Sequence, residues 1–496
     1  AQCRHHRHRR RAVTAFLLLL HIALFVALAA RVLLRNDLAP DVRMAWLMVG
    51  LLLPYVGAVL YFLLGEAALS RGAAGRHLKL SDFVRQRLAG DEAAQRALGS
   101  PAEIDALIAP RWQGVSRYAA SINGFQPVAG NRAELMSDGD SARARLLADL
   151  DAAEHEINVL YYIWLGDHTG TEVARALMRA ARRGVTCRAL VDGLGSRALT
   201  RSPLWREMAA AGVRISVALP IDHPLKVMLT SRIDLRNHRK ITLIDGRVTY
   251  VGSQNCADAA FRVKAKYAPW VDIMLRVEGP VVAQAQLLFA CDWMQIAGDA
   301  DFAPVARPPA PLAGGFAAQV VGDGPTERRR STPQLFATLI ANARTRLTIS
   351  TPYFVPDATV LEALCAAAWR GVRVTLILPR RNDSWIVAGA SRSTYDRLLS
   401  AGVAIHEYRH GLLHAKTLTV DDAVTLIGSA NLDLRSFDLN FENNLLLQDA
   451  ATTAAVLARQ QHYMAQSVLV TLQDVRGWPW WRRMWNNALA TAGPVL

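Results

Sequence analysis

Two long apolar runs occupy the start of the chain, and alternating strand-like and helix-like segments follow after Leu80. The runs at 13–30 and 44–64 carry almost no polar residues. Each is long enough to cross a hydrocarbon core of about 30 Å as a helix. The segment between them, "RNDLAPDVR", is short and balanced in charge. The pattern therefore predicts a transmembrane helical hairpin, with Pro54 and Gly57 tolerated inside its second helix.

Basic residues flank both apolar runs. "RHHRHRRR" precedes the first, and Arg71, Arg76, Lys79, Arg85 and Arg87 follow the second. Because positive charge stays on the cytoplasmic side, both flanks and the rest of the chain are expected in the cytoplasm. The alternative is a signal peptide, since "ALA" at 27–29 resembles a cleavage site. The second run would then remain as an anchor.

The remainder of the chain contains one series of elements twice. "HEINVLYYIWL", "TEVARALMRAARRGV", "TCRALVDGLGS" and "WREMAAAGVRISVAL" alternate strand and helix patterns, and "TRLTISTPYFV", "ATVLEALCAAAWRGV", "RVTLILP" and "TYDRLLSAGVAIHEY" repeat the series. A Pro-rich and Gly-rich linker, "RPPAPLAGG" at 307–315, separates them. This duplication predicts an α/β fold of two similar halves. The predicted segments are 1–65 with the two membrane helices, 66–115 as a juxtamembrane linker, and the halves 116–306 and 316–496.

A polar motif ends each series. "NHRKITLIDGRVTYVGSQN" and "HAKTLTVDDAVTLIGSAN" both read H-x-K-x(4)-D-x(6)-G-S-x-N, with one offset of 176 residues throughout. The matched residues are His238 and His414, Lys240 and Lys416, Asp245 and Asp421, Gly252 and Gly428, Ser253 and Ser429, and Asn255 and Asn431. Two copies of so specific a pattern predict one cleft that contains two of each group.

The spacing of the motif suits phosphodiester chemistry. A histidine and a lysine two residues apart on a strand point to the same face. Lys240, Lys416, Asn255 and Asn431 can hold the non-bridging oxygens of an anionic phosphodiester. One histidine can then attack phosphorus, while the other protonates the leaving alkoxide and later deprotonates the incoming alcohol.

Other residues are expected to support the two histidines. Asp272 and Glu442, which follow the two motifs at similar places, are candidates to fix the tautomer of the nucleophilic histidine. Asp245 and Asp421 belong to the predicted catalytic set with the histidines and lysines of the motifs. Because they end the motif strands, ordering by hydrogen bonds is a better expectation for them than proton transfer. Tyr161, Tyr162, Trp164, Tyr353 and Phe354 precede the motifs and could line a lipid-facing cleft or fill the core.

The composition of the chain limits the classes of partner that the protein is expected to bind. The chain has 496 residues, enough for two or three domains, and 57 Lys and Arg against 42 Asp and Glu give a net charge of +15. Such a charge favours an anionic partner, which includes nucleic acid, anionic lipid and phosphorylated substrates. The five scattered cysteines indicate neither a disulfide framework nor a zinc site. Without a carboxylate cluster in the sequence pattern, we expect no metal and no cofactor.

The duplicated motif resembles the HKD motifs of the phospholipase D superfamily. Within it, the chain is similar to bacterial cardiolipin synthases with two amino-terminal transmembrane helices, through "LLPYVGAVLYFLLGE", "RNHRKITLIDGRV", "STPYFVPD", "GLLHAKTLTVDD" and "NLDLRSFDLNFENN". One difference is Gly-Ser in "VGSQN", where many synthases of this branch have Gly-Gly. The resemblance implies two αβα sandwich halves around one active site, at a bacterial inner membrane.

The resemblance also implies an activity. Two phosphatidylglycerols would become cardiolipin and glycerol through a phosphatidyl-histidine intermediate, with His238 and His414 as nucleophile and acid/base pair. His238 is favoured as the nucleophile, and Ser253 and Ser429 join the asparagines as substrate-binding residues. Phosphatidylethanolamine stays open as the second lipid, and the oligomeric state is open as well.

Other functions remain compatible with the motif. A hydrolytic phospholipase D or an HKD nuclease would use the same residues, although no aromatic-plus-basic nucleic-acid motif stands out and no nucleic-acid partner is expected. A catalytically silent lipid-binding scaffold is opposed by the intact motifs. The carboxyl-terminal "GWPWWRRMWNNAL" either lies at a bilayer interface or packs against the catalytic core.

Overall fold

The structure, a computed structural model, describes residues 2–36, 38, 40–61, 65, 95, 96, 98–221, 234–299 and 309–491. It divides into a small unit, 1–70 with 223–234, and a large unit, 71–222 with 235–494. The arginines and the lysine predicted to flank the second apolar run lie outside the described residues, as do most of the predicted linker 66–115 and residues 307 and 308. Apart from 223–234, the predicted first half falls in the large unit, as does the second half up to residue 494, and the boundaries of both halves stay predictions.

The described part of the small unit contains the helices α1 (Gln2–Leu33), α2 (Pro40–Leu52) and α3 (Pro54–Leu60). Within α1, Val13–Leu33 is long and apolar enough to cross a membrane, with a mean hydropathy of 2.6. The expectation that Pro54 lies inside one uninterrupted second helix is wrong. The chain leaves helical geometry at Leu53, and Pro54 begins a new helix because proline has no N–H for the preceding turn.

The large unit opens with α4 (Glu103–Leu107) and α5 (Pro110–Asn123). The elements of the first half then follow in the order β1 (Val128–Leu135), α6 (Gly139–Asp151), β2 (Glu156–Tyr161), α7 (His168–Arg182), β3 (Thr186–Asp192), α8 (Arg197–Thr200), α9 (Pro203–Ala210), β4 (Arg214–Ala218), β5 (Arg236–Asn237), β6 (Lys240–Ile244), β7 (Val248–Gly252), a 3-10 helix (Arg262–Tyr267), β8 (Trp270–Val271), β9 (Met274–Glu278) and α10 (Val281–Ala297).

The second half repeats most of this series and extends it. Its elements are β10 (Phe316–Asp323), α11 (Ser331–Asn342), β11 (Arg346–Ser350), β12 (Phe354–Val355), α12 (Ala358–Trp369), β13 (Arg373–Pro379), α13 (Trp385–Ser393), α14 (Tyr395–Ser400), β14 (Ala404–Tyr408), β15 (Leu412–Leu413), β16 (Thr417–Val420), β17 (Val424–Gly428), β18 (Leu432–Asp433), α15 (Leu434–Asp438), β19 (Asn440–Gln448), α16 (Ala450–Ala465), β20 (Ser467–Val470), α17 (Leu472–Arg476) and α18 (Trp480–Thr491).

One 16-stranded sheet joins the halves. Its strand order is β20-β14-β13-β11-β16-β17-β19-β10-β1-β9-β7-β6-β2-β3-β4, and β5 pairs with β19 beside this path. The central neighbours β10 and β1 are antiparallel, with Val128 opposite Ala318. Outward from them, the corresponding strands follow in the same order on both sides. The duplicated sequence has therefore become a pseudo-twofold sheet.

Helices cover both faces of the sheet, because its central strands are buried on both sides. Strands β6 and β17, for example, are buried at every position. One hydrophobic core includes Phe289 and Trp293 of α10 with Val456 of α16. Two further cores lie under the outer helices of the first and second halves. Each motif strand is thus fixed in a rigid, water-free layer.

Candidate active site

Each of the two histidines follows a short strand that crosses to the opposite half, and each is close enough to the lysine of the other motif for that charge to lower its pKa. Strand β5, just before His238, pairs with the start of β19, and the N–H of His238 donates to the carbonyl of Phe441 at 2.9 Å. In the same way β15, just before His414, pairs with β8, and the N–H of His414 donates to the carbonyl of Val271 at 2.8 Å. Each motif is therefore anchored on the opposite half.

This exchange gives each histidine a carboxylate from the other half. The Nδ1 atom of His238 lies 2.9 and 3.0 Å from the two carboxylate oxygens of Glu442. The Nδ1 atom of His414 lies 2.6 Å from Oδ1 of Asp272. Both acids predicted from the sequence thus contact a histidine. An Nδ1–H donated to a carboxylate leaves Nε2 of each ring free to act as a base or nucleophile.

The motif serines contact the acids. Ser253 donates its hydroxyl to Asp272 at 2.6 Å, and Ser429 donates to Glu442. Both serines are fully buried. Glu442 also accepts hydrogen bonds from Ser436 at 2.9 Å and from the side chain of Asn440 at 3.3 Å. The substrate-binding role predicted for the serines does not match these contacts, because their hydroxyls are used to hold the carboxylates.

The lysines lie beside the histidines, as the two-residue spacing requires. Lys240 donates its ammonium to the carbonyl of His238 at 2.7 Å, and Lys416 donates to the carbonyl of His414 at 2.8 Å. The side chain of Asn443 binds the backbone of Lys240. It accepts a hydrogen bond from the N–H of Lys240 at 2.9 Å and donates one to the carbonyl of Lys240 at 3.1 Å. Both ammonium groups are buried, so they can face a substrate anion with little competition from water.

Burial controls the protonation of the cluster. It lowers the pKa of His238 to about 4, with Glu442 opposing the shift and Lys240 adding to it. Burial likewise lowers the pKa of His414 to about 4, with Lys416 adding to the shift and Asp272 opposing it. Both imidazoles are therefore neutral near pH 7. An anionic substrate between them would offset the lysine charges and raise both values.

The pKa values of the two lysines and of the two acids are all lowered. Burial lowers the pKa of Lys240 to about 8, and burial together with the charge of Lys240 lowers the pKa of Lys416 to about 7. Burial alone would raise the pKa of Asp272, yet its interaction and hydrogen bond with His414, together with the charge of Lys416 and the hydrogen bond from Ser253, lower it to about 2. His238 outweighs burial for Glu442 in the same way, and its pKa is lowered. The site therefore carries ionised carboxylates behind neutral imidazoles.

Asp245 and Asp421 lie at the far ends of the motif strands. The carboxylate of Asp245 accepts the N–H groups of residues 154, 155 and 156 at 2.7–3.0 Å, where β2 begins. Asp421 accepts the N–H groups of residues 344, 345 and 346 at 2.8 Å, and it also pairs with Arg111. Both aspartates have positive φ, 53° and 48°. These contacts do not support a catalytic role for the two aspartates. They fasten neighbouring strands, which was the favoured expectation.

The motif asparagines are buried near the histidines. Asn255 accepts a hydrogen bond from the N–H of Ile163 at 3.3 Å. Asn431 is 3% exposed, and its Oδ1 atom has no hydrogen-bond partner among the residues that the structure describes. A buried amide oxygen without a partner is suited to a ligand that brings a hydrogen-bond donor.

Only some of the predicted aromatic residues line the site. The ring of Tyr162 lies 5.0 Å from that of His238, and Tyr353 donates to Asp383 at 2.8 Å. The other three fill the core, which was one of the two roles left open for them: Tyr161, Trp164 and Phe354. On a strand, adjacent residues point to opposite faces, so a whole apolar run cannot face one cleft.

Several residues of the site were not singled out from the sequence. Trp270 packs against His414 with ring centroids 4.6 Å apart. Its position two residues before Asp272 was a usable signal, because residues two apart on a strand share a face. Arg239, between His238 and Lys240, is buried and pairs with Asp292 at 2.6 Å. In the described ranges, no group of three or more His, Cys, Asp or Glu side chains is arranged to hold a metal ion.

Comparison with known proteins gives the family. A family model described as "Cardiolipin synthase, PLD-like domain" matches residues 146–293 and 336–464. A protein of Cronobacter sakazakii named cardiolipin synthase A is 36% identical over 497 residues, covering 98% of this chain and 99% of that protein. Its namesake from Citrobacter koseri is 35% identical over 492 residues, with the same coverage. The chain belongs to the cardiolipin synthase family with phospholipase D-like domains.

Two further similarities agree with this family. Residues 23–66 match a model described as "Phospholipase_D-nuclease N-terminal". The crystal structure of phosphatidylserine synthase from Haemophilus influenzae covers 78% of this chain and 100% of its own, with a TM-score of 0.58 and 14% identity, and so supports the fold alone. The predictions of two phospholipase D-type halves and of a phosphatidyltransferase of the cardiolipin synthase family are confirmed. The roles of individual residues stay predictions.

Proposed function

We propose that this member of the cardiolipin synthase family transfers a phosphatidyl group from one phosphatidylglycerol to another, giving cardiolipin and glycerol. The single observation that carries the proposal is the pair of His–carboxylate contacts built across the halves, 2.9 and 2.6 Å long, with a buried lysine beside each. Two such pairs in one cleft can supply a nucleophile and a separate acid at the same time.

The reaction proceeds in two displacements. In the first, Nε2 of His238 forms a bond to phosphorus while the bond to the oxygen of the head-group glycerol breaks. His414, protonated on both ring nitrogens once the substrate anion has raised its pKa, gives that oxygen its Nε2 proton. In the second, His414 takes the proton from a head-group hydroxyl of another phosphatidylglycerol, whose oxygen bonds to phosphorus as the phosphorus–nitrogen bond breaks. Lys240 and Lys416, with Asn255 and Asn431, stabilise the charge on the non-bridging oxygens.

Different surroundings support His238 as the nucleophile. Its partner Glu442 is 0% exposed and accepts three side-chain hydrogen bonds besides that of the histidine. Asp272, the partner of His414, instead borders a cavity of about 330 Å³ that Trp270 and Asn255 also line. A nucleophile benefits from a fixed ring, whereas an acid that handles departing and arriving alcohols benefits from nearby space.

The remaining residues act by positioning. Ser253 and Ser429 hold the two carboxylates, and Asp245 and Asp421 fasten the strands that carry the lysines. The lysine and asparagine side chains supply the electrostatic stabilisation, so we expect activity to survive EDTA. Loss of activity with EDTA that one added metal restores would contradict this part of the proposal.

Transfer rather than hydrolysis is the second part of the proposal. The motif alone is compatible with a hydrolytic phospholipase D, because both reactions share the covalent step. Tyr162 and Trp270 pack beside the two histidines and limit access of water to the intermediate. The test is mass spectrometry of products made from phosphatidylglycerol, with and without phosphatidylethanolamine. Cardiolipin and glycerol should dominate; mainly phosphatidic acid and glycerol would contradict transfer.

The site is proposed to work on the cytoplasmic side of a bacterial inner membrane. The support is the helix Val13–Leu33, of membrane-spanning length, and the basic segments of the sequence around the apolar runs. A second crossing would have to include the break at Leu53. A reporter fused after the last residue should be active only in its cytoplasmic form, and a periplasmic signal would contradict this topology.

A further inference from the structure

An exposed aromatic face covers the last helix of the large unit. Trp480, Trp481, Met484 and Trp485 of α18 are between 52% and 68% exposed. Their spacing places all four on one side of the helix. Trp385, which begins α13, is 62% exposed and stacks on Trp485 with ring centroids 5.8 Å apart. These five side chains are the aromatic face.

The helix that carries the aromatic face is firmly packed on its other side. Asn486 and Leu489 of α18 are buried. Leu489 lies so close to Gly389 of α13 that a Cβ added there would come within 2.3 Å of it. Because contacts with the fold fix the orientation of α18, its tryptophans are held outward rather than left on a loose tail. Large apolar patches of this kind mark interaction sites.

Arginines surround the aromatic face. Arg380 and Arg381, just before α13, are exposed, as is Arg483 on α18. Arg482 lies over the ring of Trp478, 4.0 Å from its centroid. Tryptophans mixed with arginines suit the interface of an anionic bilayer, where indole rings sit at head-group level and basic side chains contact lipid phosphates.

A chain of contacts leads from this surface to the catalytic centre. Lys264, in the 3-10 helix of the first half, pairs at 2.5 Å with Asp383, which lies next to the start of α13. The same 3-10 helix follows Phe261, whose ring stacks on Trp270 at 3.9 Å. Trp270 in turn packs against His414. Consecutive contacts therefore connect the segment beside the aromatic face to His414.

We propose that the aromatic face and its arginines dock the catalytic halves on an anionic phospholipid bilayer and so deliver the lipid phosphodiester to the cleft. The bilayer as partner rests on the proposed function, which supplies a lipid substrate. A second copy of the chain fits less well, because a twofold contact through this face would bring arginines against arginines.

Lipid quenching of tryptophan fluorescence tests the docking without using turnover. The full chain is reconstituted in phosphatidylglycerol nanodiscs whose acyl chains are either ordinary or brominated, as wild type and as W480F/W481F/W485F. The difference in emission between wild type and the triple variant gives the emission of the three tryptophans. This difference should be at least about twofold smaller with brominated lipid than with ordinary lipid. Trp369→Phe is the matched control, since Trp369 is 73% exposed at the end of α12 and its emission should be equal in both lipids.

Equal emission of the three tryptophans in both lipids would overturn the docking surface. Tryptophan emission that escapes quenching only when one nanodisc holds two copies of the chain would overturn it in favour of a chain–chain contact. Because bromine quenching reports position only, an enzyme that made phosphatidic acid instead of cardiolipin would still show the expected quenching. The docking and the proposed reaction can therefore fail separately.

Charge reversal provides a second test. The R380E/R381E/R483E variant should turn over phosphatidylglycerol in anionic bilayers about tenfold more slowly than wild type. Its rate on short-chain phosphatidylglycerol, dissolved below its micelle concentration, should be unchanged because no surface is needed there. An equal loss on both substrates would mean that the arginines act on the fold or the cleft, and would contradict docking.

Discussion

The two catalytic pairs have the same chemistry but different surroundings. His238 and His414 each donate to a carboxylate of the opposite half, and each has a buried lysine two residues later. Glu442 is enclosed and held by three further side chains, whereas the side chain of Asp272 is 12% exposed and borders a cavity. The duplication thus keeps the reacting groups, while the surroundings of the two carboxylates have diverged.

One residue between each histidine and lysine contributes to this difference. In the first motif it is Arg239, which pairs with Asp292 and donates to the carbonyl of Glu442 at 3.1 Å. In the second motif it is Ala415, which makes no such polar contact. The first pair therefore has an additional tie to the surrounding core through a charged side chain, which the second pair lacks. A tightly held carboxylate suits a nucleophile's partner, and a carboxylate that borders a cavity suits the partner of an acid/base.

Replacing each histidine tests this division most directly. His238→Ala and His414→Ala should both lower turnover of phosphatidylglycerol by at least about 10⁴-fold, because either step fails without its group. With a phosphatidyl ester of nitrophenol, which leaves without a proton, His414→Ala should still release a burst and accumulate a phosphatidyl-enzyme. His238→Ala should give neither. A burst in His238→Ala alone would reverse the assignment, and near-wild-type turnover in either variant would disprove a shared site.

The carboxylates should show the same contrast with smaller effects. Glu442→Gln should slow the burst by about 10²–10⁴-fold, because an amide no longer fixes the tautomer of His238 or stabilises its charge. Asp272→Asn should leave the burst with the nitrophenyl ester within about tenfold and slow turnover of phosphatidylglycerol. Rapid-mixing kinetics with both substrates separates the two steps. Equal loss of the burst in both variants would contradict separate roles.

These pairings explain what the sequence could and could not predict. The repeat, the α/β elements and the acids Asp272 and Glu442 are visible as patterns, because spacing and polarity within one strand are local properties. Which acid meets which histidine depends on β5 and β15 crossing to the opposite half, and two-residue strands have no recognisable periodicity. The contacts do not support a catalytic role for Asp245 and Asp421, for a related reason. A motif gives the spacing of residues, but it does not show whether a side chain faces the cleft or a neighbouring strand.

Acid should weaken the fold through the two histidines. Their pKa is 6.5 in the unfolded reference and about 4 in the folded protein, so the unfolded chain binds more protons between these values. Stability should be fully present above pH 6.5 and fall as the pH drops toward 4. Melting temperatures in detergent should decrease less over this window for H238Q/H414Q than for wild type. His168→Gln, at an exposed position, is the control, and identical slopes in all three proteins would contradict the shift.

The serines should give the smallest difference and the finest measure of the asymmetry. Ser253 donates to Asp272, whose other side-chain partner in the described structure is His414, whereas Ser429 is one of three side chains besides His238 that hold Glu442. A lost hydrogen bond to a charged group costs about 1.5–3 kcal/mol, less where other donors remain. Ser253→Ala should therefore slow turnover about tenfold, and Ser429→Ala about threefold or less. Steady-state rates with phosphatidylglycerol, compared with the conservative Thr variants, measure this difference. If Ser429→Ala proves the more damaging, the enclosed carboxylate depends on a single donor. The contrast between a tightly held carboxylate and one that borders a cavity is then wrong.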